Sequence, residues 1–269
     1  MIFDTPLPFL EALAAKKVKT LLPTELRTKD LAGLGSALLD RSSFSAGVQS
    51  AELLQRFDDL TGQRLDGTLD RASARQALKE FLGSLGDPSV DNTDLTDIRS
   101  DARLNLKLDH DLATLQGYGH AVQSNVPEVL DQWPAQELVD TNPSQTENRR
   151  DWKAIWTAHG GEFYGDRMIA LKSDPIWRAI SRFNRPTPPF DFGSYWDVQD
   201  VDRATAEDIG LIAPDAEAKP MALEDLNADL QATPEVRADW LRSELAGRLQ
   251  GIAAFDADGV LKFTGGKAA

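Results

Sequence analysis

The stretch Arg167-Met168-Ile169-Ala170-Leu171-Lys172-Ser173-Asp174-Pro175-Ile176-Trp177 decides how this chain folds. Arg167 to Leu171 is a short apolar run closed by a Ser-Asp-Pro turn, which reads as a strand. Asp174 to Ser181 then reads as one or two helical turns. A strand here means that the second half of the chain is not an all-helical bundle. Upstream, Arg149 to His159 has Trp152, Ile155 and Trp156 on one side of a helix that Gly160-Gly161 ends. Further back, Gln136 to Asp140 reads as another short strand after Pro134. Downstream, Pro186 to Pro189 is a rigid extended segment. Tyr195 to Val198 reads as a third strand and Ala204 to Ile209 as a short helix.

Everything before Pro134 has helical texture. Pro8 to Lys17 is a short apolar helix carrying Phe9, Leu10 and Leu13. Lys29 to Asp40 sets Leu31, Leu34, Leu38 and Leu39 on one side. Ser45 is placed to cap a long helix through Leu60, with Val48, Leu53, Leu54 and Phe57 inward. Ser73 is placed to cap Ala74 to Leu85, with Gly86 as its stop. A longer helix spans Leu95 to Val122, bent or ended by Gly117-Tyr118-Gly119, and Pro127 to Gln132 is a short helix. At the other end, Pro234 to Leu249 is amphipathic through Val236, Trp240, Leu241, Leu245 and Leu249. Ala253 to Phe263 reads as a hairpin around Asp258-Gly259. The fold class is therefore α+β and predominantly α-helical: a helical N-terminal half, then a small α+β subdomain with short strands. The expected division is an N-terminal helical arm at 1–40, a central domain at 41–212 (helical over 41–133, α+β over 134–212), and an acidic linker, helix and hairpin at 213–269.

At 269 residues, 41% hydrophobic and 27% charged, the chain has the makeup of a globular protein. No apolar run is long enough to span a bilayer, so no membrane partner is expected. The first residues lack a basic segment followed by an apolar core, so no secretory leader is expected. The absence of cysteine excludes disulfides, thiolate metal sites and cysteine nucleophiles. A net charge of -14 argues against nucleic-acid binding by the whole surface. The acidity is concentrated late: Asp197 to Ala232 holds ten Asp/Glu against two Lys/Arg, a solubilising face or a segment that docks on a basic partner.

Against that background the middle is unusual. Arg149 to Pro186 holds eight Lys/Arg against four Asp/Glu, and all six tryptophans lie between Trp133 and Trp240. Trp152, Trp156, Trp177, Phe190 and Phe192 are the expected structural core of this block. Arg149, Arg150, Arg167, Lys172, Arg178, Arg182 and Arg185 are the candidate contacts to an acidic partner or to DNA. One reading packs the aromatics and leaves Arg167, Lys172, Arg178, Arg182 and Arg185 on the surface of the subdomain. The other makes those cations a binding face, since Arg and Trp dominate binding hot spots. The two are compatible.

Signals of catalysis are sparse. Asp109-His110-Asp111 with His120 is the best ligand-like cluster, but helix neighbours point in different directions, and a solvated polar face is the default. His159 beside Gly160 suits a helix C-terminus. Pairing it with Glu162 for acid–base work needs a third positioned group that the sequence does not pick out. Asp256-Ala257-Asp258-Gly259 lacks the rest of a calcium loop. There is no phosphate loop, no Gly-x-Ser-x-Gly and no His-Glu-x-x-His.

Several motifs in order resemble a known family. Arg41-Ser42-Ser43-Phe44-Ser45-Ala46 precedes a long helix, followed by Gly67 and a second helix ending Phe81-Leu82-Gly83-Ser84-Leu85-Gly86. Then come Ile98-Arg99-Ser100-Asp101-Ala102-Arg103-Leu104-Asn105-Leu106, Pro134-Ala135-Gln136-Glu137-Leu138-Val139, Arg149-Arg150-Asp151-Trp152 and the Arg167 to Trp177 stretch. Together they resemble phage minor head proteins, the head-morphogenesis family typified by the F protein of phage Mu, over residues 40–212. Many relatives close the domain with a proline, histidine, asparagine and cysteine motif. Here Pro188-Pro189-Phe190-Asp191-Phe192-Gly193-Ser194 stands in its place, with neither histidine nor cysteine. No metal or cysteine role carries over, and Phe190 and Phe192 are expected to replace the motif by packing.

The resemblance implies a low-copy virion protein, made in a bacterial host cytoplasm, in the head interior or at the portal vertex. Its implied partners are the phage portal or major capsid protein, and packaged double-stranded DNA. Its implied work is head assembly, DNA packaging or ejection, with no enzyme activity and no cofactor. Two other classes stay open on the residues: a hydrolase or nuclease-like enzyme using His110, His120 or His159, and a DNA-binding accessory protein using the basic block.

Overall fold

The computed structural model describes residues 9–27, 30, 40–90, 92–143, 150–223, 231–232, 239–248, 253–257, 259 and 261–263. The chain forms two compact units, Met1–Leu223 and Glu224–Ala269. The helix expected over Lys29 to Asp40 lies almost wholly outside the described residues, as do Arg149, Val236, Leu249 and Asp258.

The first unit opens with α1 (Leu10–Lys17), then two two-residue strands, β1 (Thr20–Leu21) and β2 (Ser42–Ser43), paired in parallel. Three long helices follow: α2 (Ala51–Leu65), α3 (Arg71–Ser84) and α4 (Asp101–Ser124). Their apolar residues recur at helical spacing and meet in one core, with Leu54, Phe57, Leu60, Leu78, Leu104 and Leu108 at its centre.

The helix starts differ from the sequence reading, and local hydrogen bonds explain why. Ser50, not Ser45, caps α2: its Oγ accepts from Leu53 N–H at 3.1 Å. Ser45 is buried and accepts from Arg103 Nη2 at 2.9 Å. Asp70, not Ser73, caps α3, accepting from the backbone of Ala72 and Ser73 while the Ser73 hydroxyl donates to its second oxygen at 2.7 Å. Ser100 caps α4, so this helix begins after Leu95, and it runs unbroken through Gly117-Tyr118-Gly119.

The second part of this unit comprises α5 (Pro127–Gln132), β3 (Ala135–Asp140), α6 (Trp152–Ala158), β4 (Phe163–Tyr164), β5 (Arg167–Leu171), α7 (Ile176–Ile180), β6 (Trp196–Val201) and α8 (Arg203–Asp208). All three expected strands form. The four strands make one antiparallel sheet in the order β4-β5-β3-β6. Gln136 pairs with Ala170 on one side and Asp200 on the other. Alternation along the strands sends Leu138, Met168 and Ala170 to one face. Ala135, Ile169 and Val201 go to the other, against Ala206 and Ile212. The fold is α+β and predominantly helical.

The aromatic residues of the basic block fill the first of those two cores. Trp156 and Trp177 are completely buried, their rings 5.4 Å apart, and Phe190 stacks on Trp177 at 6.1 Å. Each buried indole keeps its N–H satisfied: Trp156 donates to Glu162 O and Trp177 to Leu171 O, both at 2.8 Å. Gly161 follows from this packing. A methyl group at that position would stand 2.4 Å from the Trp156 ring, so no larger residue fits beneath the indole.

The second unit holds β7 (Gln231–Ala232), α9 (Asp239–Arg248), β8 (Ala253–Phe255) and β9 (Leu261–Phe263), with sheet order β7-β9-β8. Strands β8 and β9 form the antiparallel pair expected of the tail. Trp240, which the helical pattern counts among its apolar set, is 72% exposed. Among the described residues, no helix is long and apolar enough to cross a membrane.

Candidate functional site

Two of the seven candidate cations converge. Asp151 caps α6 by accepting from Ala154 N–H at 3.0 Å, which fixes Arg150 just outside the helix and Trp152 at its first position. After α7 the chain doubles back, and Arg182 N–H donates to Phe190 O at 2.9 Å. That return brings Asp191 between the two arginines. Arg150 Nη1 donates to Asp191 Oδ2 at 2.9 Å, and Arg182 Nη1 to Asp191 Oδ1 at 3.0 Å. The Asp191 side chain is only 9% exposed, whereas Arg150 and Arg182 are 37% and 47% exposed. The Arg150 guanidinium also lies over the Trp152 ring, 4.8 Å from its centroid.

These residues edge an open cleft of about 680 Å³, which Trp196, His159 and the half-exposed Tyr195 also line. Among the described residues, one carboxylate shared by two guanidiniums leaves one positive charge uncompensated at the cleft. Each guanidinium carries five N–H donors in a planar fork, so most remain available to an acidic or phosphorylated group. Aromatic walls beside fixed cations are the makeup of a binding surface.

The other described candidates are dispersed. Arg167 pairs with Glu137 across neighbouring strands at 2.7 Å, and this bond raises its already high pKa. Arg178 donates to the carbonyls of Asn184 at 3.0 Å and Ala222 at 2.6 Å, strapping residue 222 to the subdomain. Two expectations of surface placement fail. The Lys172 side chain is fully buried, with Nζ 2.7 Å from Asp200 Oδ1. Arg185 is buried and pairs with Asp40, its guanidinium 5.6 Å from the Phe183 ring. Neither presents itself to a partner. Phe192 leaves the tryptophan core and packs on His110 at 4.5 Å and Phe183 at 4.8 Å.

Of the histidines, His120 and His159 are exposed, His159 at the helix C-terminus expected of it, and His110 alone departs from the solvated face expected of its cluster. His110 is wedged against Phe183 and Phe192. Burial, and then the surrounding Arg185, Lys107, Lys19 and Arg103, hold its pKa well below 6.5. Its flanking carboxylates are engaged elsewhere: Asp109 accepts from Arg64 and Arg71, and Asp111 pairs with Lys107. His120 packs against Phe9 at 4.7 Å, and His159 follows the last turn of α6. Among the described residues, no three His, Asp or Glu side chains come together as a metal-binding group.

Sequence reading missed the role of Asp191. Its position between two aromatic residues in a proline-rich turn is the only local signal, and the pairing depends on the chain return after α7. No family model, no curated protein and no solved structure matches this chain.

Proposed function

We propose that this chain is a phage minor head protein that acts by binding the portal or major capsid protein, and not by catalysis. The observation that carries the reading is how the segments of the resemblance meet. The helix that begins at Asp101, within the Ile98 to Leu106 motif, packs through His110 and Gly117 onto the closing segment 188–194. In that segment Phe190 joins the tryptophan core and Phe192 covers His110, so packing does the work at the place where relatives carry histidine and cysteine. The cleft beside it offers Arg150, Arg182 and Tyr195 to a protein surface. Quantitative peptide mass spectrometry on purified phage particles and DNA-free proheads tests this. A few copies per particle, co-purifying with portal or capsid protein, is the expected result. Absence from both particle types overturns the reading and moves the hydrolase or nuclease-like alternative forward.

The uncompensated charge at Arg150 and Arg182 favours one second reading, contact with packaged double-stranded DNA. Affinity would then fall steeply with salt, and replacing both arginines would flatten that slope. An unchanged slope removes DNA from this cleft.

A further inference from the structure

A second cavity, smaller and less open than the cleft, lies between α4 and the segment carrying Phe183, Arg185 and Phe192. Its volume is about 50 Å³, room for roughly three or four waters or one tetrahedral oxyanion. Four cationic side chains line it: Lys19, Arg103, Lys107 and Arg185. Two of them are neutralised, Lys107 by Asp111 and Arg185 by Asp40. The third carboxylate of the neighbourhood, Asp58, is engaged by Lys16 from α1. Among the described residues, Lys19 and Arg103 have no ion-paired carboxylate; Arg103 donates only to Ser45 Oγ at 2.9 Å and Ala46 O at 3.2 Å. His110 Nδ1 is buried on the same wall with no hydrogen-bond partner. Hydroxyls of Ser42, Ser43 and Thr61 complete the lining.

We infer that this cavity binds one small tetrahedral oxyanion, phosphate or sulfate, held by Lys19 and Arg103 with His110 Nδ1–H as a further donor. The site has two unpaired positive charges, an orphaned imidazole nitrogen and a volume that suits the ion. Burying like charges together is costly unless a counter-ion joins them. The cost is visible in Lys19, whose ammonium is pushed down to about 8 by burial first and then by Arg185. An anion reverses that push, so its binding draws a proton onto Lys19. This site is separate from the Arg150–Arg182 cleft and does not depend on the minor head reading.

The test is thermal unfolding of the full chain at pH 7, titrated with sodium phosphate or sodium sulfate against sodium chloride of equal ionic strength. The expected result is a saturable rise in Tm with the oxyanion and none with chloride. Lys19→Met should weaken the oxyanion about tenfold or more while melting no lower than the parent in chloride. Should that variant fold poorly, titration calorimetry of the unaltered protein at pH 8, in two buffers of different ionisation heat, decides instead. Uptake of about half a proton per phosphate is expected there, because Lys19 sits near its midpoint at about 8. Equal responses to oxyanion and chloride, an undiminished response in Lys19→Met, or no proton uptake each overturn the inference.

Discussion

Gly117 rests against Pro188 so closely that a methyl group on its Cα would stand 2.2 Å from the Pro188 carbonyl oxygen. Two residues on, a methyl at Gly119 would stand 2.7 Å from the Phe9 ring. These glycines do not end α4. They thin it where the closing proline segment and the start of α1 lie across it.

Gly117→Ala is therefore expected to destabilise the first unit by about 1–3 kcal/mol, because the obstacle is backbone and cannot rotate away. The usual gain of roughly 1 kcal/mol for replacing a helical glycine by alanine is overridden. Gly83, near the end of α3 with open space around it, is the control. Gly83→Ala should be neutral or stabilising by a few tenths of a kcal/mol. Urea unfolding of the two variants beside the parent measures both. Equal stability of Gly117→Ala and the parent would contradict the close approach.

Asp191 holds the return loop to α6 through Arg150 and Arg182. Removing a buried carboxylate that serves two partners costs more than removing either exposed arginine, since the arginines can rehydrate. Asp191→Ala should lose about 1–3 kcal/mol. Arg182→Ala alone should lose less than about 1 kcal/mol, because Arg150 still pairs. The ordering is the test: a larger loss for Arg182→Ala than for Asp191→Ala would mean the loop is held by something other than the carboxylate.

What could be read from the sequence depended on how local its cause was. The apolar spacing in α2, α3 and α4, and the strand at Arg167 to Leu171, act within a few residues, and both were legible. Helix caps were misread because Ser45 and Ser73 are good capping types whose hydroxyls found other partners, Arg103 and Asp70. The fate of the cations was the least legible. Arg185 is buried by Asp40, 145 residues away in sequence, and Lys172 by Asp200 on a strand two places over in the sheet. A cationic run does not say which of its members will meet a carboxylate once the chain folds. The same non-local pairing hid both Asp191 and the cavity around Lys19.

His110 sets an acid limit on stability. Burial, Arg185, Lys107, Lys19 and Arg103 all disfavour its charged form, so its folded pKa lies well below the unfolded 6.5. The unfolded chain therefore takes up a proton below about pH 6.5 that the folded chain resists, and stability is lost as pH falls through that range. His110→Asn removes this term. The gap in unfolding free energy between parent and variant should shift against the parent as pH drops from 7 to 5 in buffer without phosphate or sulfate. A gap that stays constant across that range would mean that His110 is charged freely in the fold.

Lys19 makes the opposite end of the scale informative. Its pKa is lowered from 10.5 to about 8, first by burial and then by Arg185, with Asp40 and Asp111 opposing and Lys107 adding to the push. Between those two values the unfolded chain binds a proton that the folded chain has released. Stability attributable to this residue therefore rises as pH increases from about 8 to 10.5 and is absent below about 8, where both states are charged. Lys19→Met carries no such term, so in phosphate-free buffer it should be the more stable protein at pH 7, with its advantage shrinking as pH approaches 10.5. Denaturant unfolding of parent and variant at pH 7, 8, 9 and 10 follows the gap. If the gap does not narrow with rising pH, Lys19 keeps its ordinary affinity for a proton and the like charges around it are better hydrated than their burial implies.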